Sequence, residues 1–448
     1  MGPEFALLLL LVAPARAAGG TAEDSLKVEV DLTDVGGKGT GAVTMDLPAL
    51  LERAGRQNLD VRISETVSAE TEGERQSAGA AWWPDLTVGA LARHTDGTLQ
   101  GTFGDFGPAA FSTALANAIL RWDLNPGATH FRRAATREQA AGAHANVLAT
   151  RLQMQETAAA RYLELVGAAA LVTVARHTRD DAEEFLKLTR RLEEKGLGLG
   201  ADVQRARAEL ARREGALALT RRAFRVASVR LAETLDLDPA ATILPADQSI
   251  VAPELPVVDD ANELLTRALA FRQEMNAANR EVAANESRLS GLRWQAYGPD
   301  VALEAQQGYI GPTFPETSGQ SFYSARVGWT IRPSDFGALR AARARLERAR
   351  LELERARLRI RAEVVEAREA VTLSGSLLGP AREALEAAEQ SLRLSQVRFG
   401  GGIGSALEML QAQDVVAAAR AEAVTVLVEA HEAVHHLRRV LGTPLDTP

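Results

Sequence analysis

Hydrophobic positions along this chain alternate between two periods, and the alternation occurs twice. From Asp46-Leu47-Pro48 to about Ala81 the spacing is helical, with Pro48 early in the first turn where its missing N–H costs nothing. Trp82-Trp83-Pro84-Asp85 breaks that pattern. Leu86, Val88, Ala90 and Ala92 then alternate with Thr87, Gly89 and Arg93, and a second period-2 run follows at Ala116, Ala118, Leu120, Trp122 and Leu124. These runs predict strands over about 85–95 and 114–124, with a Gly/Thr/Phe/Pro loop from Asp96 to Ser112 between them and Asn125-Pro126-Gly127 as the stop. From Ala128 to Glu194 there is no proline, which predicts a single helix roughly 100 Å long at about 1.5 Å per residue. Globular helices average only about 10–14 residues. A tight turn at 195–201 and a returning helix to about Leu235 complete the first half.

The second half repeats the first. Leu265–Met275 (LTRALAFRQEM) echoes Leu51–Val61 (LERAGRQNLDV), and Gly298-Pro299-Asp300-Val301 echoes Trp83-Pro84-Asp85-Leu86. Strands are predicted over about 300–310 (Val301, Leu303, Ala305, Gln307, Tyr309) and 321–331 (Tyr323, Ala325, Val327, Trp329, Ile331), joined by the Gly/Pro/Thr/Ser loop Gly311–Gln320 and ended by Pro333. A long helix follows from about Ala338. Leu339, Leu346, Leu353 and Ile360 lie seven apart with Ala342, Ala349 and Ala356 between them, a heptad seam that lets helices approach closely. It has a soft point at Gly375–Pro380 and ends in a turn at 399–405, and a last helix runs to Leu441.

The two turns show the duplication best. Arg398–Gln413 (RFGGGIGSALEMLQAQ) aligns with Lys195–Leu210 (KGLGLGADVQRARAEL): Gly402 with Gly196, Ile403 with Leu197, Gly404 with Gly198 and Glu408 with Asp202, each pair 206 positions apart. Glycine supplies the left-handed residue that ends a helix, and Ser405 with Glu408 reads as a capping box for the next one. The chain thus divides into a leader (1–17), a flexible lead-in (18–43), a first repeat (44–237), a Pro-rich linker (238–260), a second repeat (261–442) and a tail (443–448).

Composition narrows the class. The 448 residues include no cysteine, so disulfides and thiol chemistry are excluded. Aromatic content is 5%, the net charge is −8 and charges of both signs alternate along the helices, with no basic stripe suited to nucleic acid. Ala6–Pro14 is an apolar run followed by Ala15-Arg16-Ala17, the pattern of a secretory signal peptide, whereas Met1–Phe5 lacks the expected positive charge and reads as a cloning remnant. All five tryptophans, Trp82, Trp83, Trp122, Trp294 and Trp329, fall at helix–strand junctions, which predicts a membrane-interface girdle. Strands of about ten residues cross a membrane when tilted. Four such strands cannot close a barrel, and an open edge in lipid leaves backbone groups unpaired. Two copies would give eight strands filled by their own side chains, and three give twelve with a lumen, so a homotrimer is the economical inference.

Candidate chemistry is sparse. His431-Glu432-Ala433-Val434-His435 is a literal H-E-x-x-H, but a zinc protease needs a third protein ligand, and His436 points about 100° away round the helix. The G-x-G runs follow helices rather than strands, and Val35–Thr40 lacks P-loop spacing. No catalytic, cofactor or metal residue is assigned, and the chain reads as a non-enzyme.

Helix, two strands, long helix, turn and helix, given twice, resemble the TolC-type outer-membrane efflux proteins over nearly all of Thr44–Gly442, most specifically in the two turn motifs. The resemblance implies a mainly α chain with a small β part. Its duplicated hairpins would build an α-barrel across the periplasm, and four strands per chain would join a trimeric twelve-stranded barrel in outer-membrane lipid. It implies an exit duct for small molecules or proteins, working with a periplasmic adaptor and an inner-membrane efflux pump or ABC transporter. The adaptor would dock on the tips at Gly196, Leu197, Gly198, Gly402, Ile403 and Gly404. The periplasmic gate would lie at Asp202, Ser405, Glu408 and Gln411. In the best-known members two acidic residues three apart ring the closed pore. Here those positions are Glu408 and Gln411, so the second acid is absent. The rival reading is a periplasmic coiled-coil scaffold or adaptor without a channel, against which the duplication and matched strand lengths argue.

Overall fold

A computed structural model describes residues 26–32, 42–256 and 260–443. The leader and all but the first residue of the tail lie outside them. The repeats are recognisable as α1 (Leu47–Arg56), α2 (Leu59–Ala80), β3 (Asp85–Gln100), β4 (Phe106–Leu124), α3 (Pro126–Glu194) and α4 (Gly200–Thr234), then α5 (Ala261–Phe271), α6 (Gln273–Tyr297), β7 (Asp300–Gly311), β8 (Ser318–Gly328), α7 (Pro333–Gly400) and α8 (Ala406–Val440). Four short strands complete the set: β1 (Lys27–Glu29), β2 (Ala42–Met45), β5 (Thr242–Pro245) and β6 (Ser249–Val251).

The repeats of sequence are not the units of packing. One compact unit holds the described residues of Met1–Leu50, Ala158–Val258 and Glu369–His435, the other those of Leu51–Thr157, Asp259–Arg368 and His436–Pro448. Each unit draws on both repeats, because the apolar face of one repeat is covered only when the other is laid against it.

The second unit contains a four-stranded antiparallel sheet in the order β3-β4-β7-β8. Its strands are longer at the first hairpin than the alternation indicated. β3 and β4 pair continuously from Asp85↔Arg121 to Gln100↔Phe106, so most of the expected 96–112 loop is ladder and only 101–105 turns. In the other hairpin β8 ends at Gly328, short of Trp329 and Ile331. The helices of this unit form a layer linked by ion pairs: Arg151 to Glu65 (α3–α2, 3.4 Å), Arg280 to Glu138 (α6–α3, 2.8 Å) and Arg350 to Glu286 (α7–α6, 2.9 Å). Leu339, Ala342 and Leu346 of the heptad seam pack on Leu289 and Ala296 of α6.

The expected single helix from Pro48 to Ala81 is two helices. Asn58 is buried and its side chain accepts from the Asp60 amide at 2.8 Å, a cap that stops α1 and starts α2. Arg272 breaks α5 from α6 at the matching place in the second repeat. It is 4% exposed and is held by Glu274 (2.9 Å) and Glu363 (2.5 Å), the latter also accepting from Arg439 at 3.2 Å. Burying this guanidinium is tolerable because carboxylates on two sides pair it.

In the first unit, segments read as lead-in and linker form sheets. β1 pairs antiparallel with β6, and β2 pairs parallel with β5. Three- and four-residue strands leave too short an alternation to detect, and Pro245 ends its ladder, where a missing donor is tolerated. The Pro-rich stretch is therefore partly ordered structure. α7 continues through the soft point at Gly375–Pro380, with Val371, Ser374 and Ala381 buried on its packed face. Packing there outweighs the hydrogen bond that Pro380 removes. α3 has a stretch long and apolar enough to cross a membrane, but 67% of that window is buried inside the protein, which marks it as a core helix.

Candidate functional site

The two turns between long helices have one backbone geometry. Gly196 and Gly402 take φ of +72° and +76°. Around the first, the Gly196 amide donates to the Glu193 carbonyl (2.8 Å) and the Leu197 amide to Leu192 (2.9 Å). Around the second, Gly402 donates to Phe399 and Ile403 to Arg398, both at 3.0 Å. These are Schellman closures, which satisfy carbonyls orphaned at a helix end. Gly198 and Gly404 have ordinary φ but no room. A Cβ on either would sit 3.0 Å from a backbone nitrogen, of Glu193 and Phe399 respectively. The apolar residues between the glycines point outward, with Leu197 76% and Ile403 80% exposed. A cavity of about 800 Å³ lies between the turns, lined by residues that include Thr189, Asp202, Arg205, Phe399 and Ser405. Phe185 and Phe399, 5.2 Å apart, head the core beneath it.

The turns differ in how the next helix starts. Ser405 Oγ accepts from the Glu408 amide (3.2 Å) and Glu408 accepts from the Ser405 amide (3.4 Å), a reciprocal capping box. In the first repeat Leu199 stands at the N-cap and makes no side-chain hydrogen bond. Both candidate gate carboxylates have basic neighbours that the sequence reading did not assign: Arg205 is 3.0 Å from Asp202, and Arg398 is 3.8 Å from Glu408. The i,i+3 spacing of Asp202 and Arg205 was the available signal for the first. Gln411 is exposed.

The register of the larger sheet sorts its faces. Leu86, Leu120, Ala305 and Tyr323 line up across the four strands, as do Ala90, Ala116, Tyr309 and Gly319, while Trp122 lies across from Leu303 and Ala325. The period-2 positions of all four strands therefore share one apolar face. The other face is mixed: it carries Arg93, Asn117, Arg121, Glu304, Gln306 and Arg326, with Arg121 and Glu304 3.2 Å apart, beside Leu91, Leu115, Ile119, Ile310 and Phe322. Neither face is covered within the chain: Val88 is 74% exposed, Tyr323 74% and Val327 62%. An apolar face without a protein partner, backed by a face that carries the charged residues, is the pattern of a strand wall between lipid and water. Trp82 and Trp83 lie between α2 and β3, Trp122 near the end of β4, Trp294 near the end of α6 and Trp329 just past β8. Trp294 also has a packing role, since a Cβ on Gly127 would come within 2.1 Å of its ring.

The H-E-x-x-H segment lies in α8. His431 Nε2 is 2.8 Å from the Val251 carbonyl oxygen, and His436 Nδ1 is 2.6 Å from Glu156. Burial, with Glu429 and Glu164 adding repulsion, pushes the Glu432 carboxyl above its usual range. No group of three or more metal-ligating side chains is assembled among the described residues.

A four-strand wall joined to helices of 69 and 68 residues that turn back at glycine tips is a fold found in solved outer-membrane channels. Residues 264–443 match the family model described as outer membrane efflux protein. Among solved structures the chain is similar to the outer-membrane channel OprN (20% identity, TM-score 0.78, covering 97% of this chain and 100% of that one). It is also similar to the outer membrane protein VceC from Vibrio cholerae (19%, TM-score 0.76, 89% and 96%) and to the open state of the Neisseria gonorrhoeae MtrE outer membrane channel (19%, TM-score 0.77, 89% and 89%). No curated protein matches the chain by sequence.

Proposed function

We propose that three copies of this chain close into one channel that serves as a passive exit duct, fed by an inner-membrane efflux pump or ABC transporter through a periplasmic adaptor. The observation that carries the assembly is the pair of unpartnered edges. β3 and β8 are the free edges of the sheet. α2 and α7, the helices next to them in sequence, end the helical layer and expose apolar stripes: Leu59 51%, Ile63 60% and Val67 48% on one, Leu351 63%, Leu358 64% and Val365 49% on the other. The second stripe has heptad spacing. Edges that differ on the two sides favour a head-to-tail contact, and such contacts close into a ring when the rotation between copies divides a full turn. Three copies give twelve strands and leave a lumen.

The exposed Leu197 and Ile403 at the tips suit an apolar protein contact, which supports adaptor docking at Gly196–Gly198 and Gly402–Gly404. Asp202, Ser405, Glu408 and Gln411 would then line the periplasmic constriction, with Arg205 and Arg398 offsetting its negative charge. Cargo would be small toxic compounds or proteins, driven by the partner pump. The test is native mass in mild detergent. Three times the 47.9 kDa chain mass is expected, and a Leu358→Glu/Val365→Glu variant should dissociate. A stable monomer or dimer, or a protein that stays soluble without detergent, would favour the scaffold reading instead.

A further inference from the structure

We propose that the wall of this channel carries a binding site for organic anions where α3, α6 and α7 meet near the sheet, and that its ligand is a solute inside the conduit. The inference rests on the channel reading above.

A cavity of about 350 Å³ opens among these three helices. Arg132 of α3, Arg288 of α6 and Arg345 of α7 all line it, and none of its lining residues is acidic. Elsewhere in the same layer three arginines are paired across helices: Arg151–Glu65, Arg280–Glu138 and Arg350–Glu286. Here Arg288 has only the Asn285 Oδ1 at 3.4 Å and Glu281 at 3.7 Å. Among the described residues the guanidiniums of Arg132 and Arg345 have no hydrogen-bond or ion-pair partner. Only Arg288 among the three has a carboxylate in reach, and at 3.7 Å, so the cavity keeps a net positive lining for which a ligand anion is the missing counter-charge. Guanidinium forks suit the paired oxygens of carboxylate, sulfonate or phosphate. Gln139 and Gln295 add amide donors, while Leu292 and Ala342 add apolar surface. The fitting ligand is therefore an anionic group on a compact apolar body.

The side on which the cavity opens decides the source of that ligand. It shares Ala128 and Gln295 with a neighbouring cleft lined by Asp123, Asp300, Ala302 and Arg326. The register places those four on the face that carries the charges, and two further strand residues of the cleft, Leu124 and Val301, on the apolar one. Lipid headgroups approach from the apolar side, so the site is assigned to the channel interior.

The test is equilibrium dialysis of the purified full-length protein against naphthalene-1,5-disulfonate, with naphthalene-1,5-dimethanol as the neutral counterpart. Saturable binding of the disulfonate, weakened by salt, is expected, without binding of the diol. Arg132→Gln/Arg288→Gln/Arg345→Gln should lose at least about tenfold in affinity. The triple Lys variant should retain part of it, and Arg93→Gln on the polar face should bind normally. Equal binding by the diol, or an unchanged triple Gln variant with wild-type circular dichroism, overturns the site. Reconstitution separates the two sources. Binding should be equal in phosphatidylcholine vesicles with and without phosphatidylglycerol, and suppression by the anionic lipid would move the site to the membrane side. Native mass on the same samples keeps the readings apart. A trimer that ignores the probe sinks only the anion site, whereas a monomer that binds it sinks the conduit.

Discussion

Replacing Gly402 tests whether the tip is set by backbone conformation rather than by contacts. Nothing lies within 4 Å of a Cβ built there, so alanine meets no neighbour, yet φ is +76°. The left-handed region costs a residue with a Cβ about 1–2 kcal/mol. All of that destabilises the closed turn, which is held by the amides of Gly402, Ile403 and Gly404 donating to Phe399 and Arg398 at 3.0 Å. A loss of about 1–2 kcal/mol corresponds to roughly a 5–30-fold change in an opening equilibrium. Hydrogen exchange read on the 399–405 peptide of Gly402→Ala should therefore accelerate by about that factor, while peptides from the helix interiors stay unchanged. Asparagine tolerates the left-handed region, so Gly402→Asn should lie between wild type and alanine, and Gly402→Val should be worst. At Gly404 the order changes. There φ is ordinary, and the obstacle is the Phe399 nitrogen at 3.0 Å and the Arg398 carbonyl carbon at 3.2 Å from the added Cβ. Asparagine should give no relief at that position. If Gly402→Asn and Gly402→Val exchange alike, or Gly402→Ala matches wild type, the conformational argument is wrong.

Other outcomes follow from single side chains. Ser405→Ala removes the hydroxyl that accepts from the Glu408 amide, and should destabilise the start of α8 by about 1 kcal/mol, measured as faster exchange at residues 406–409. Burial, then the repulsion of Glu429 and Glu164, raises the folded pKa of Glu432, so its neutral form favours the fold. That contribution is complete below the ordinary carboxylate pKa and is lost as pH rises through the raised value. Glu432→Gln should therefore raise the unfolding temperature at pH 7 and make no difference in strong acid. Burial and the hydrogen bond to Asp247 push the Tyr162 phenol up, so its stabilising effect persists below the usual tyrosine range and fades only in strong alkali. Tyr162→Phe should delete a late-ionising phenol from the alkaline absorbance titration.

Much of this architecture could be read from periodicity because its elements are long. Leu86, Val88, Ala90 and Ala92 alternate over enough residues to name a face, and the register then placed the runs of all four strands on that face. The tips were legible because glycine has a specific backbone use there and because the pattern occurs twice. What escaped depends on distance in sequence or on shortness. β1 and β6 have three residues each and are joined across the whole first repeat. The break at Asn58 and Arg272 occurs inside continuous helical spacing, where one buried polar residue redirects the chain. Arg132, Arg288 and Arg345 come together from three helices that no local motif connects. The partner of Glu408, Arg398, likewise comes near only once the turn folds back on itself, whereas Arg205 beside Asp202 was legible as an i,i+3 pair.

The missing cap at Leu199 has a mechanical consequence. The hairpins beneath the two tips are built alike, but one helix starts with a side-chain latch at Ser405 and the other starts without one. The difference is about 1 kcal/mol in the first turn. In a ring of three chains, stiff and compliant joints would then alternate round the rim. Force applied evenly by a docked partner would be taken up first by the three compliant joints. The rim would deform with threefold rather than sixfold character, and α4 would unwind at its start before α8 did.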